Sequence, residues 1–263
     1  MTLVRIARPS PNFDERGRPI DTLILHYTGM QTGEIAIRRL CDPAPRAGVY
    51  AFAWEKPEDP EARLGRASAH YVLEEDGRVI DMVDESKRAW HAGAGIWRGE
   101  ADLNSRSIGI EIVNGGHDFG LPDYPEPQIA ALIELVGDIS RRNGLKRHQV
   151  IGHSDIAPAR KADPGEKFPW RRLGEAGLAL WPQNPVPAPA GDLASVQRDL
   201  AEIGYGLQIT GIRDPDTVLV LKAFQRRFRP SKIDGAADEE TRALIGDILR
   251  QTRLLIAPRA SAN

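Results

Sequence analysis

The sequence predicts an α/β domain followed by a small three-helix unit, on three observations. Strand-like and helix-like apolar patterns alternate through residues 1–180, the mark of an α/β fold. Residues 181–191, WPQNPVPAPAG, carry four prolines and no periodic apolar pattern. They read as an extended, semi-rigid linker, because proline fixes φ and removes a backbone donor. Beyond that seam, three apolar stripes at helical spacing are separated by glycine-bearing turns.

Each element follows from its own pattern. Residues 22–27, TLILHY, are a run of strand formers, and 34–40 suit a helix. Residues 42–67, rich in proline, glycine and charge, predict a long surface excursion of the kind that lines sites. Two apolar runs around Asp76-Gly77 predict a hairpin. In SIGIEIV, residues 107–113, period two puts Ile108, Ile110 and Ile112 on one face and Ser107, Gly109, Glu111 and Val113 on the other. Ile129, Leu132, Ile133, Val136 and Ile139 recur at three and four, giving a helix over 126–142 that Asn143-Gly144 closes. Val150-Ile151 adds a brief strand. Past the seam, the stripes are Val196, Leu200 and Ile203, then Leu221, Phe224 and Phe228, then Leu244, Ile245, Ile248 and Leu249. Arg226, Arg227 and Arg229 read as a solvated face. The expected division is a domain over 1–180, a linker over 181–191 and a helical domain over 192–255.

Composition narrows the function. Of 263 residues, 41% are hydrophobic and 27% charged, which excludes a disordered or coiled-coil chain. Lys and Arg number 35 against 37 Asp and Glu, so the net charge of -2 builds in no attraction to nucleic acid or anionic lipid. No apolar run approaches the ~20 residues of a membrane span. Cys41 is the single cysteine, which excludes an internal disulfide framework and a cysteine-rich zinc finger. No apolar stretch follows the early arginine as a secretory signal would. The expectation is therefore a cytoplasmic monomer, with the periplasm or cell envelope as the alternative compartment.

His26 ends a very apolar strand, where α/β folds bring side chains to ligands. Taken alone, it reads equally as a hydrogen-bonded core histidine. In GHSDIAPARKADPG, residues 152–165, His153 follows a strand end and Asp163 lies in a loop punctuated by Pro158, Pro164 and Gly165. Two histidines and a carboxylate from three chain points match a catalytic zinc set with one position open. Asp163 before Pro164 serves equally well as a turn residue or helix cap.

Four stretches, LILHYT (23–28), SAHYVLEEDGRVIDMVDESKRAWHAG (68–93), LNSRSIGIEIVN (103–114) and GHSDIAPARKADPGEKFPW (152–170), run in order through the first part. Together they resemble the zinc-dependent N-acetylmuramoyl-L-alanine amidases of the amidase-2 family, in the AmpD/AmiD-like branch. The second part, with TGIRDPDTVLVLKAFQRRFRP and KIDGAADEETRALI, resembles peptidoglycan-binding domain 1. The resemblance implies a mixed central β-sheet flanked by helices, as in peptidoglycan recognition proteins, plus a three-helix C-terminal domain. It implies one zinc ion held by His26, His153 and Asp163, with Glu111 and Lys161 in the active site. Trp90 and His91 fall in a segment that walls the substrate groove. Asn104 and Arg160 are candidate contacts for peptide carboxylates, or solvated loop residues. Some relatives carry a tyrosine where this chain has Ala69, so that role falls to other groups here.

The activity implied is hydrolysis of the amide joining the lactyl group of N-acetylmuramoyl or anhydromuramoyl to L-alanine, in peptidoglycan or a muropeptide. The alternative is a non-catalytic recognition protein on the same fold, a class in which a zinc ligand is typically lost. A glycosidase would want two carboxylates across a cleft, and only Glu111 has a convincing setting.

Overall fold

The computed structural model describes residues 3–50, 58–187 and 191–257. The first elements are β1 (Arg5–Ala7), β2 (Phe13–Glu15), β3 (Thr22–Tyr27), α1 (Gly33–Cys41) and α2 (Ala47–Tyr50). Then come β4 (Tyr71–Leu73), β5 (Val79–Asp81), β6 (Lys87–Ala89), β7 (Ser107–Ile112), α3 (Glu126–Asn143) and β8 (Val150–Gly152). The chain continues with α4 (His153–Ile156), α5 (Trp170–Glu175), α6 (Leu193–Ile203), α7 (Pro215–Phe228) and α8 (Glu239–Ile256).

Six strands form a mixed sheet in the order β1-β5-β4-β7-β3-β8, while β2 and β6 make a separate antiparallel ribbon. Only the β4–β5 hairpin runs antiparallel within the large sheet. Its turn carries Gly77 at φ +88°, left-handed backbone that glycine adopts without strain. β7, β3 and the edge strand β8 are parallel neighbours, so their C-terminal ends open on one side of the sheet, where α/β folds place ligands.

Alternation along these strands sorts the core into two faces. Leu23, Leu25, Ile108, Ile110, Ile112 and Val150 pack on the α3 stripe of Leu132, Leu135, Val136 and Ile139. Ile24 and Ile151 belong to a second cluster, with Ile156, Trp97, Leu200, Val220 and Phe224. The C-terminal helices therefore cover the sheet face that α3 leaves, and the two parts of the chain share a core. α1 packs through Ile37 and Leu40 against Val72 and Ile80.

Helix ends obey local chemistry. Thr32 Oγ1 accepts from the Ile35 amide at the start of α1, and Gly144 at φ +65° closes α3. Asp192, Asp214 and Asp238 accept from the third residue of α6, α7 and α8 in turn. Each such cap stabilises its helix by about 1 kcal/mol.

Three parts of the sequence expectation change. The excursion over 42–67 contains the short α2, and its residues 51–57 lie outside the described residues, as do 188–190 of the seam. The arginines of α7 are no solvated face: Arg227 and Arg229 are only 4% and 3% exposed. Arg229 ends α7 by bonding the cap residue Asp238, and Arg227 reaches the first part of the chain. The early seam is also tied down, because the Gln183 amide donates to Asp247 and Gln251 Nε2 to the Trp181 carbonyl. Among the described residues, no helix is long and apolar enough to cross a membrane.

Ile110 is fully buried between the sheet and α3. Ile110→Ala is expected to lower unfolding free energy by about 2–5 kcal/mol, through lost transfer energy and the cavity left behind; denaturant titration measures it.

Candidate active site

Three strand ends and one loop build the site. His26 is the fifth residue of β3 and pairs across the ladder with Glu111 of β7, so both side chains leave the sheet on the same side. Gly152 of β8 pairs with Leu25, and His153 follows it as the first residue of α4. Asp163 comes from the loop after α4, held by a bond from the Ser154 amide to its own carbonyl.

His26 Nδ1, His153 Nδ1 and Asp163 Oδ2 form a near-equilateral triangle. The nitrogens lie 2.9 Å apart, and they stand 3.1 and 3.0 Å from the oxygen. Hydrogen bonds on the far sides fix both imidazole tautomers. His153 Nε2 meets the Ala92 carbonyl at 2.9 Å, and a carbonyl only accepts, so the proton sits on Nε2. Ser107 Oγ donates to the Leu103 carbonyl at 2.6 Å, which leaves its oxygen to accept from His91 Nε2 at 3.2 Å. His91 Nδ1 then accepts from His26 Nε2 at 3.0 Å. Both Nδ1 atoms therefore face the triangle, on the sides of the rings away from these anchors.

Electrostatics sharpen the point. Burial, and then the neighbouring His153, lower His26 to about 4, so it is neutral near pH 7. Burial opposes ionisation of Asp163, yet His153 and His26 hold its carboxyl well below the usual carboxylate range. Two imidazole nitrogens and a carboxylate oxygen thus converge within 3.1 Å in a buried site, a donor set that a divalent cation would satisfy. Edges of this length put all three atoms within ~2.0–2.2 Å of a common point, the reach of a zinc ion. The donor set fits a divalent metal with mixed nitrogen and oxygen ligands, and all three residues are buried.

A cavity of about 510 Å³ opens over the cluster, lined by His26, Trp90, Glu111, Arg160, Lys161 and Asp163 among others. Glu111 is half-buried, and its Oε2 is buried with no hydrogen-bond partner among the described residues. Burial, and secondarily the Asp163 charge, push its carboxyl up to about 8, against the opposing pull of Lys161. Lys161 itself is exposed at the rim.

The remaining sequence candidates divide. Trp90 lines the cavity, with its indole N–H on Asp14 and the Arg66 guanidinium over its ring. Arg160 lines it too, and donates to the Ala92 and Ala94 carbonyls. His91 sits behind His26, in contact with its ring edge-on. Its ring fits because residue 109 is glycine: a Cβ there would lie 2.4 Å from it. Asn104 is buried, and its Oδ1 accepts from the His91 and Ala92 amides, fixing the loop that carries both. Tyr27 and His117, joined at 3.0 Å, also line the cavity. Neither stood out in the sequence: Tyr27 is an ordinary strand former, and His117 lies in a loop without a motif.

Comparison with known proteins agrees with this architecture. A family model described as N-acetylmuramoyl-L-alanine amidase matches residues 16–166, and a peptidoglycan binding domain model matches residues 190–245. The N-acetylmuramoyl-L-alanine amidase AmiD of Escherichia coli K12 is 37% identical over 188 residues, 66% of this chain and 68% of that protein. The 1,6-anhydro-N-acetylmuramyl-L-alanine amidase AmpD of the same strain is 40% identical over 176 residues, 63% of this chain and 87% of that one. Among solved structures, E. coli AmiD in complex with the substrate anhydro-N-acetylmuramic acid-L-Ala-D-gamma-Glu-L-Lys matches with a TM-score of 0.73 at 31% identity. That match covers 90% of this chain and 91% of the other. AMPDH3 from Pseudomonas aeruginosa gives 0.74 at 32% identity, covering 93% and 95%. Both structural matches are too extensive to stop at the seam, and so include the C-terminal helices. By family model, by identity to named relatives and by fold, this chain belongs to the N-acetylmuramoyl-L-alanine amidase family.

Proposed function

We propose that this chain hydrolyses the amide between the muramoyl or anhydromuramoyl lactyl group and L-alanine, using one zinc ion held by His26, His153 and Asp163. The observation that carries the reading is the convergence of two imidazole nitrogens on the Asp163 carboxylate, beside a Glu111 oxygen that has no hydrogen-bond partner among the described residues, in an open cavity. When bound, zinc supplies Lewis acidity toward the amide carbonyl and toward water. Glu111 takes the proton of the attacking water on Oε2 and hands it to the L-alanine nitrogen as the C–N bond breaks. Lys161 donates to the lactyl oxygen as that oxygen gains charge. Trp90 and Arg160 contact the substrate along the wall, while Asn104 and His91 shape that wall and the ligand behind it. The products are a lactyl carboxylate and a peptide with a free L-alanine amine.

We read residues 1–180 as the catalytic domain, 181–191 as the connecting segment and 192–255 as a peptidoglycan-binding domain. The two family matches, over 16–166 and 190–245, support this division.

The decisive experiment is digestion of purified sacculi and of an anhydromuropeptide by zinc-loaded protein, with products read by mass spectrometry. The expected product is a peptide headed by free L-alanine; its absence from both digests would overturn the reading. Glu111→Gln is expected to keep one zinc per chain, by metal analysis, and to lose about 100- to 10,000-fold in kcat. Lys161→Met is expected to lower kcat by about 100- to 1,000-fold with zinc content and KM little changed, as loss of one oxyanion donor does; steady-state kinetics separates the two parameters.

A further inference from the structure

The C-terminal helices reach the metal site through one buried cluster. Asp155, two residues after His153, is 1% exposed. Its Oδ2 accepts from Arg227 Nη1 of α7 at 2.7 Å and from the Gly152 amide at 2.9 Å. Its Oδ1 accepts from the hydroxyl of Tyr205, just past α6, at 2.7 Å. Arg227 Nη2 donates to the Val150 carbonyl at 3.0 Å, and its guanidinium lies 4.0 Å over the Trp170 ring. The Tyr205 ring is packed edge-on against Trp97. The Tyr205 hydroxyl and the Arg227 guanidinium therefore both grip residues 150–155, the turn from β8 into α4 that carries His153.

Local structure alone does not fix that turn. A helix of four residues has too few internal bonds to hold itself in water, and a buried carboxylate is tolerated only when paired. Asp155 supplies the internal tie, through the Gly152 amide, only while Arg227 and Tyr205 compensate its charge. We propose that Asp155, Tyr205 and Arg227 form a clamp through which the C-terminal helices hold His153 in its metal-binding position. On this view the helices belong to the catalytic unit, in addition to any grip on the cell wall. The inference rests on the reading of His153 as a zinc ligand, and the three clamp residues are positioning residues.

The test uses the full-length chain and two mild variants, Tyr205→Phe and Arg227→Lys, with Ile248→Val as a control. Ile248 is buried in the α8 core and touches none of the clamp bonds. Zinc affinity is read by chelator competition, kcat and KM on a small soluble muropeptide that needs no wall anchoring, and Tm by calorimetry. Both clamp variants are expected to bind zinc about 10- to 100-fold more weakly, the usual cost of losing support behind a ligand, and to lose kcat with KM unchanged. The control is expected to lower Tm and keep zinc affinity. Wild-type zinc affinity in both clamp variants would overturn the clamp. So would an equal loss of affinity in the control, since general destabilisation would then explain it. A wild-type chain that binds zinc but cleaves no muropeptide would defeat the amidase reading alone, leaving the zinc titrations to decide the clamp. A wild-type chain that takes up no zinc would defeat both.

Discussion

Two imidazole nitrogens and a carboxylate oxygen meet within 3.1 Å in a buried site, and much of the surrounding structure exists to hold them there. Each ring is anchored on its far side by an acceptor, the Ala92 carbonyl for His153 and the His91 nitrogen for His26. The acceptors are themselves anchored: Asn104 fixes the backbone of residues 91 and 92, and Ser107 fixes the proton on His91. Glycine at 109 leaves room for the His91 ring on the strand that also presents Glu111. Preorganisation of this depth would let an ion bind without first rearranging these side chains.

The same strands explain why an apolar core and a polar site coexist. β3, β7 and β8 send one set of side chains into the α3 interface, where period-two alternation supplies Leu23, Leu25, Ile108, Ile110, Ile112 and Val150. The opposite set carries Ile24 and Ile151 into the second core cluster and ends polar, in His26, Glu111 and His153. Burial then does chemical work. It keeps His26 neutral and raises the Glu111 carboxyl, two shifts that suit a metal ligand and a proton carrier.

Much of this was legible in the sequence because the informative patterns are local. The faces of 107–113, the α3 stripe, the Asp76-Gly77 hairpin and the three C-terminal helices follow from spacing within single elements. The ligand set was visible as residue types but ambiguous as chemistry, since nothing within one segment says that His26 and Asp163 meet, 137 residues apart. Family resemblance resolved that ambiguity. The place of His91 behind His26 and the burial of Arg227 were illegible, because each depends on which distant element covers it. An arginine at helical spacing looks solvated until the carboxylate it answers, 72 residues earlier, is folded against it.

The shared core of the two parts has a mechanical consequence. A recognition module on a loose tether raises only the local concentration of its polymer and leaves the angle of approach to chance. Here α6 and α7 spend their inner faces on Ile24, Ile151 and Ile156, and the first residues after the catalytic part are tied to α8. Any strand gripped by the outward faces of these helices would arrive at the cavity in a set orientation, so the pair works as a jig and not as a leash.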